Sequence, residues 1–169
     1  MEPWIGNNWN QKLLILAESW YGGNCELDLY FENWAMGNQP DVLFSCIFNA
    51  CNDDGLRRES ATFDQKMAFW HQVAFDNLVN WSYAQTLDRS PTGEEFSKGA
   101  ATLDNRLRQL NPARVWVIGK TTWIYAEPVL SKLKISCVWS NHPRSGLSSE
   151  KLRHAWLEAK ALADFAGIS

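Results

Sequence analysis

The sequence predicts an α/β domain, a three-layer αβα sandwich around a four-stranded parallel sheet, and three observations predict it. Apolar runs too brief for helices recur along the chain: KLLILA at 12–17, VAFDNLV at 73–79, RVWVIG at 114–119 and KISCVWS at 134–140. Helical patterns separate them, and strands alternating with helices imply crossovers, a parallel sheet and helices on both of its faces. A length of 169 residues suits one domain, 1–169, with a single sizeable core.

Each element has its local reason. KLLILA is continuously apolar, as a fully buried strand is. Residues 18–40 read as loop-rich, with Gly22, Gly23, Gly37 and Pro40 as breakers. A helix starts about Pro40, since proline suits a first turn and VLFSCIFNAC has apolar residues at helical spacing; NDDG at 52–55 closes it. Thr62 or Asp64 caps a further helix that runs through His71. Within RSPTGEEF, 89–96, Thr92 is the candidate cap and Glu94 and Glu95 favour the first turn of a helix reaching about Leu110. RVWVIG is the clearest strand. Lys120 to about Leu130 forms a short helix. Ser148 or Ser149 then caps a last amphipathic helix with Leu152, Trp156, Ala159 and Ala163 on one face.

Composition narrows the function classes. Ten Trp in one small domain is unusual, and several are expected to lie partly exposed, either stacking on flat ligands or serving as bulk filler. A net charge of −3 argues against a wholly basic nucleic-acid coat, yet Arg57, Arg58, Lys120, Arg144 and Arg153 could still form a local strip. No run approaches the roughly 18 apolar residues that span a bilayer, and the polar, acidic start is unlike a signal peptide; a cytoplasmic protein without membrane contact is expected. Cys25, Cys46, Cys51 and Cys137 form no CxxC pair, and His71 and His154 lie at no recognised ligand spacing from them. Buried free thiols are expected at Cys46 and Cys51, with no metal and no cofactor.

In such sheets the ligand site lies beyond the carboxyl ends of the strands. The segments there are AESWYGG at 17–23, the region of Asn77, and SNHPRSG at 140–146. Asn77 offers an amide donor beside an acceptor, which matches the edge of a pyrimidine or equally satisfies loose backbone. His142, in a turn stiffened by Pro143, could donate to a developing anion or move a proton, or simply bond the turn. Glu18 could orient a water or act as base, and Ser19 could be nucleophile or donor. Trp20 and Tyr21 could wall a base-sized slot or cap the core.

These motifs, in this order, resemble the uracil-DNA glycosylase superfamily. ILAESWYG matches a first motif in which Ala or Gly, Glu, two variable residues, Tyr or Gly, and Gly follow the first strand. VAFDNLV followed by RSPTGEEF resembles the Asn-bearing strand and its loop; VWVIGK resembles the strand-then-Gly element, and SNHPRSG the terminal His-Pro motif. The resemblance implies a glycosylase-type hydrolase that cleaves the N-glycosidic bond of a flipped aberrant base, uracil or a related deaminated one, in DNA repair. It implies that Asn77 bonds the base edge and that His142 stabilises negative charge on the pyrimidine O2. The 17–22 loop would hold the hydrolytic water, with Tyr21 near C5, and Arg144 and Ser145 would approach the DNA strand or its phosphates. DNA is the implied partner and a monomer the expected state.

The chain departs from the family pattern in three places. Ser19 stands where the best-known branch has an Asp to activate water, which leaves Glu18 as the candidate acid. Glu18 then resembles the acid of the iron–sulfur branch, whose cysteine spacing this chain lacks. Arg144 follows His-Pro where Ser is expected. Two alternatives stay open at this point. One is a base- or nucleic-acid-binding protein of the same fold without catalysis. The other is a small serine esterase using Ser19 and His142, although Trp139 occupies the place of its usual Asp.

Overall fold

The computed structural model describes residues 2–19, 26–80, 90–143 and 148–166. Strand β1 (Trp4–Ile5) and strand β2 (Leu13–Ser19) precede three helices, α1 (Leu27–Met36), α2 (Val42–Cys51) and α3 (Phe63–Trp70). Strict alternation follows: β3 (Ala74–Val79), α4 (Gly93–Leu110), β4 (Arg114–Ile118), α5 (Lys120–Leu133), β5 (Ser136–Ser140) and α6 (Ser149–Ala166). The sheet order is β1-β3-β2-β4-β5, with β1 antiparallel to β3 and the other neighbours parallel. The four expected strands are present and parallel, but the sheet has five. Two residues, Trp4 opposite Phe75 and Ile5 opposite Ala74, make the added edge strand, too short to leave an alternating pattern.

Residues 18–40 differ most from the sequence reading. Glu18 and Ser19 continue β2, and Leu27–Met36 is a helix where the pattern reads as loop. Its buried side chains, Leu27, Tyr30, Phe31, Trp34 and Ala35, recur at helical spacing, and tertiary packing makes the helix. Gly37, at φ +86°, is its left-handed C-cap rather than part of a long loop. The other helix starts follow their caps. Asp41, one residue past Pro40, accepts from the Phe44 N–H at 2.8 Å. Thr62 and Thr92 each complete a capping box, with Gln65 and Glu95. Ser148 accepts from the Lys151 N–H at 3.3 Å, and α5 runs past Leu130 to Leu133.

Strand alternation divides the sheet's side chains between two cores. Leu13, Ile15, Ala17, Phe75, Trp116 and Ile118 pack on the side of α1, α2, α3 and α6. Leu14, Leu16, Ala74, Leu78, Val115 and Val117 pack under α4 and α5. The first core is aromatic: Phe31 stacks on Phe44 with centroids 4.6 Å apart, and Trp34 meets Trp70 edge-on at 6.0 Å. Of the tryptophans expected to lie partly exposed, two do so among the described residues, and Trp20 and Trp81 lie outside them. Among the described residues Trp4, Trp9, Trp34, Trp70, Trp116 and Trp156 are buried, Trp123 is half-buried, and Trp139 is exposed.

Cys51 is buried, whereas Cys46 and Cys137 are half-buried; all three are free thiols, and Cys25 lies outside the described residues. Burial pushes each of these three thiols above its ordinary value, which disfavours the reactive thiolate. No helix among the described residues is long and apolar enough to cross a membrane.

Candidate active site

β2 lies between β3 and β4, so the chain leaves β2 toward one side of the sheet and later returns to its other side. Crossovers that part in this way open a crevice over the carboxyl ends of the central strands. The four parallel strands end at this edge with Ser19, Val79, Ile118 and Ser140.

Asn77 pairs with Ala17 across β3 and β2, and Val79 with Ser19. Paired residues in a parallel ladder share a face, and Ser19 stands two positions beyond Ala17 on the same pleat. Asn77 is 2% exposed, and its Nδ2 has no hydrogen-bond partner among the described residues. The buried Oγ of Ser19 likewise has none among them. A buried polar group left unpaired costs about 1–3 kcal/mol, so native structures seldom keep one without a use. These two stand on neighbouring strands near their carboxyl ends. Because Ser19 Oγ pairs with no histidine among the described residues, the esterase alternative loses its central contact.

The end of β5 is pinned by two contacts. The Trp116 indole donates to Ser140 Oγ at 3.0 Å, and the Gly119 N–H donates to the Ser140 carbonyl at 2.8 Å. His142 follows two residues later, half-buried, with buried Pro143 behind it. β2 and β4 separate β3 from β5, so those two strands lie about 14 Å apart at ordinary strand spacing.

Glu18 ends up differently. Alternation assigns it to the pleat of Leu14 and Leu16, opposite that of Ser19 and Asn77. It remains at the carboxyl end of β2, on the rim of the crevice. Trp20, Tyr21, Arg144 and Ser145 lie outside the described residues.

The sequence reading missed the first turn of α5. Its N-cap is Gly119, at φ +105°, with no side-chain cap, and exposed Lys120 follows. The Thr122 hydroxyl is buried without a partner among the described residues, and a Cβ on Gly119 would sit 3.1 Å from it. Uncapped first-turn N–H groups favour a negative group. The signal in the sequence was IGKTT, an apolar run entering a helix with Gly in place of a capping side chain. Two members of the expected basic strip are engaged elsewhere. Arg58 lies over the Trp34 ring at 5.6 Å, and Arg153 donates to the Asn52 carbonyl at 2.9 Å.

Behind Asn77, on the α4 side, Asp76 is buried against Arg106. Burial pushes the Asp76 carboxyl up to about 6, opposed by the pull of the Arg106 guanidinium.

In chemical terms the carboxyl ends of the strands and the start of α5 carry an amide donor, a hydroxyl, an imidazole, a carboxylate and main-chain donors. That set suits an electron-rich heterocycle attached to phosphate. Compared with known families, the chain matches that of the Uracil DNA glycosylase superfamily over residues 8–166. No curated protein matches it. With nearly all of its 169 residues covered, the protein belongs to the uracil DNA glycosylase superfamily.

Proposed function

We propose that this superfamily member hydrolyses the N-glycosidic bond of a deaminated base, uracil or a relative, flipped out of DNA. The observation that carries the reading is the buried Asn77 amide, without a partner among the described residues, beside the similarly unpaired Ser19 hydroxyl at the switch point of the sheet. A base stacked in a duplex is out of reach, so the enzyme extrudes it and reads its edge in a close-fitting pocket. Asn77 Nδ2 donates to the exocyclic oxygen of that edge, while the amide oxygen accepts from the adjoining ring N–H. As the C1′–N1 bond breaks, its electron pair passes to the base, and His142 donates to the oxygen on which the charge collects. Water adds to C1′ and gives its proton to Glu18, leaving free base and an abasic sugar. Tyr21 and Trp20 wall the base, and the first turn of α5, with Arg144 and Ser145, receives the strand's phosphates.

Base binding without cleavage is a second reading, and one observation favours it. Ser19, not an acid, occupies the pleat of Asn77, and Glu18 occupies the other. Oligonucleotides carrying uracil, hypoxanthine or xanthine separate the two readings. The proposal expects abasic sites from at least one of them. It also expects Glu18→Gln to lower turnover by about a hundredfold or more, an effect in the range of a lost general base, while binding holds. Binding of all three with no abasic sites would establish the second reading instead.

A further inference from the structure

β1 pairs with Ala74 and Phe75, and no described strand lies beside the outer edge of β3 from Asp76 onward. Two side chains take the place of a strand there. Asp76 Oδ1 accepts the Asn77 N–H at 2.8 Å, and Arg106 Nη1 donates to the Asn77 carbonyl at 2.9 Å. Arg106 Nη2 donates to the Leu78 carbonyl at 3.0 Å, and its Nη1 is also paired with Asp76 Oδ2. The Asn77 N–H is therefore held by its β3 neighbour Asp76 and its carbonyl by Arg106 of α4, an ion pair on the far side of the sheet from the Asn77 side chain. Gly99 lets α4 come this close: a Cβ there would lie 2.5 Å from the Leu78 carbonyl oxygen. Arg106 is seven residues further along, two turns on and on the same helix face.

We infer that Arg106 is a positioning residue for Asn77, clamping the end of β3 so that the unpaired amide stays aimed into the crevice. The inference rests on the reading of Asn77 as the base-binding amide. A buried amide without a partner is driven to find one. The main-chain acceptors closest in sequence, the carbonyls of Asn77 and Leu78, are already taken by the guanidinium. Were the strand end free to twist, the amide could turn back to those acceptors. Only a planar fork of donors holds a carboxylate and two carbonyls at once; a lysine ammonium keeps the charge but not the fork.

The test compares the wild-type protein with Arg106→Lys and with the paired Asp76→Leu/Arg106→Met variant. The paired variant removes both buried charges together and so guards against a fold lost to one unpaired charge. Three quantities are read: the 15N–1H signals of the Asn77 side-chain amide, single-turnover base release from a uracil-containing oligonucleotide, and affinity for it. The inference expects the Asn77 signals to move in both folded variants and base release to fall about a hundredfold, the usual scale for an ångström of misplacement. Affinity should change less than about threefold, because the phosphate contacts that dominate it are untouched. Asn77 signals at their wild-type positions in a folded variant would overturn it, as would an unchanged release rate. If the wild-type protein releases no base, the proposed function fails, and the amide signals alone still decide the role of Arg106.

Discussion

Asn77→Leu is expected to lower base release by about two to three decades and, at the same time, to raise the melting temperature. The loss follows from removing the donor aimed at the base edge, a change of the size seen when one preorganised donor is deleted. The gain follows from the same atom: Asn77 is 2% exposed, with an Nδ2 that has no partner among the described residues. An apolar side chain of similar volume relieves that cost, about 1–3 kcal/mol. For a domain of this size each kcal/mol shifts the melting temperature by about 2–4 °C. Single-turnover kinetics and a thermal melt on one preparation check both halves. A variant that is both inactive and less stable would mean that the amide holds the fold rather than a ligand.

The second large effect is expected at His142. His142→Ala should slow base release by about two to three decades, since the imidazole is the donor assigned to the departing base. Affinity for the uracil-containing oligonucleotide should change less than about threefold, because phosphate contacts carry most of it. A comparable loss in affinity, with release per bound complex unchanged, would make His142 a binding group only. It lies half-buried, two residues beyond Ser140, whose hydroxyl accepts from the Trp116 indole.

Much of this architecture is legible in the residues because local and global preferences agree. RVWVIG is apolar at every position that β4 buries except Arg114, and Thr92 with Glu95 closes the capping box at the start of α4. The region of α1 misleads because Gly22, Gly23 and Gly37 crowd the stretch, while the helix owes its existence to Phe31 and Trp34 packing on rings from α2 and α3. Composition counts the tryptophans, and only packing shows which six of those described lie in the interior. At the site, the end of AFDNLV marks Asn77 as a candidate, but an unpaired amide is a property of its surroundings and has no sequence signature. Arg106 is further from legibility still. It reaches Asp76 across thirty positions of chain, and its value depends on β1 stopping at Ile5. Glu18 and Ser19 show the reverse case. Adjacent in sequence, they are parted onto opposite pleats once residues 18 and 19 prove to be strand rather than loop.

In the proposed function the buried Asn77 side-chain amide meets a uracil edge at the switch point of the sheet. The most direct measurement records its 15N–1H signals in complex with a uracil-containing oligonucleotide and with the same oligonucleotide carrying thymine. A clear displacement is expected with uracil, and near-free positions with thymine. Identical Asn77 signals in the two complexes would contradict it.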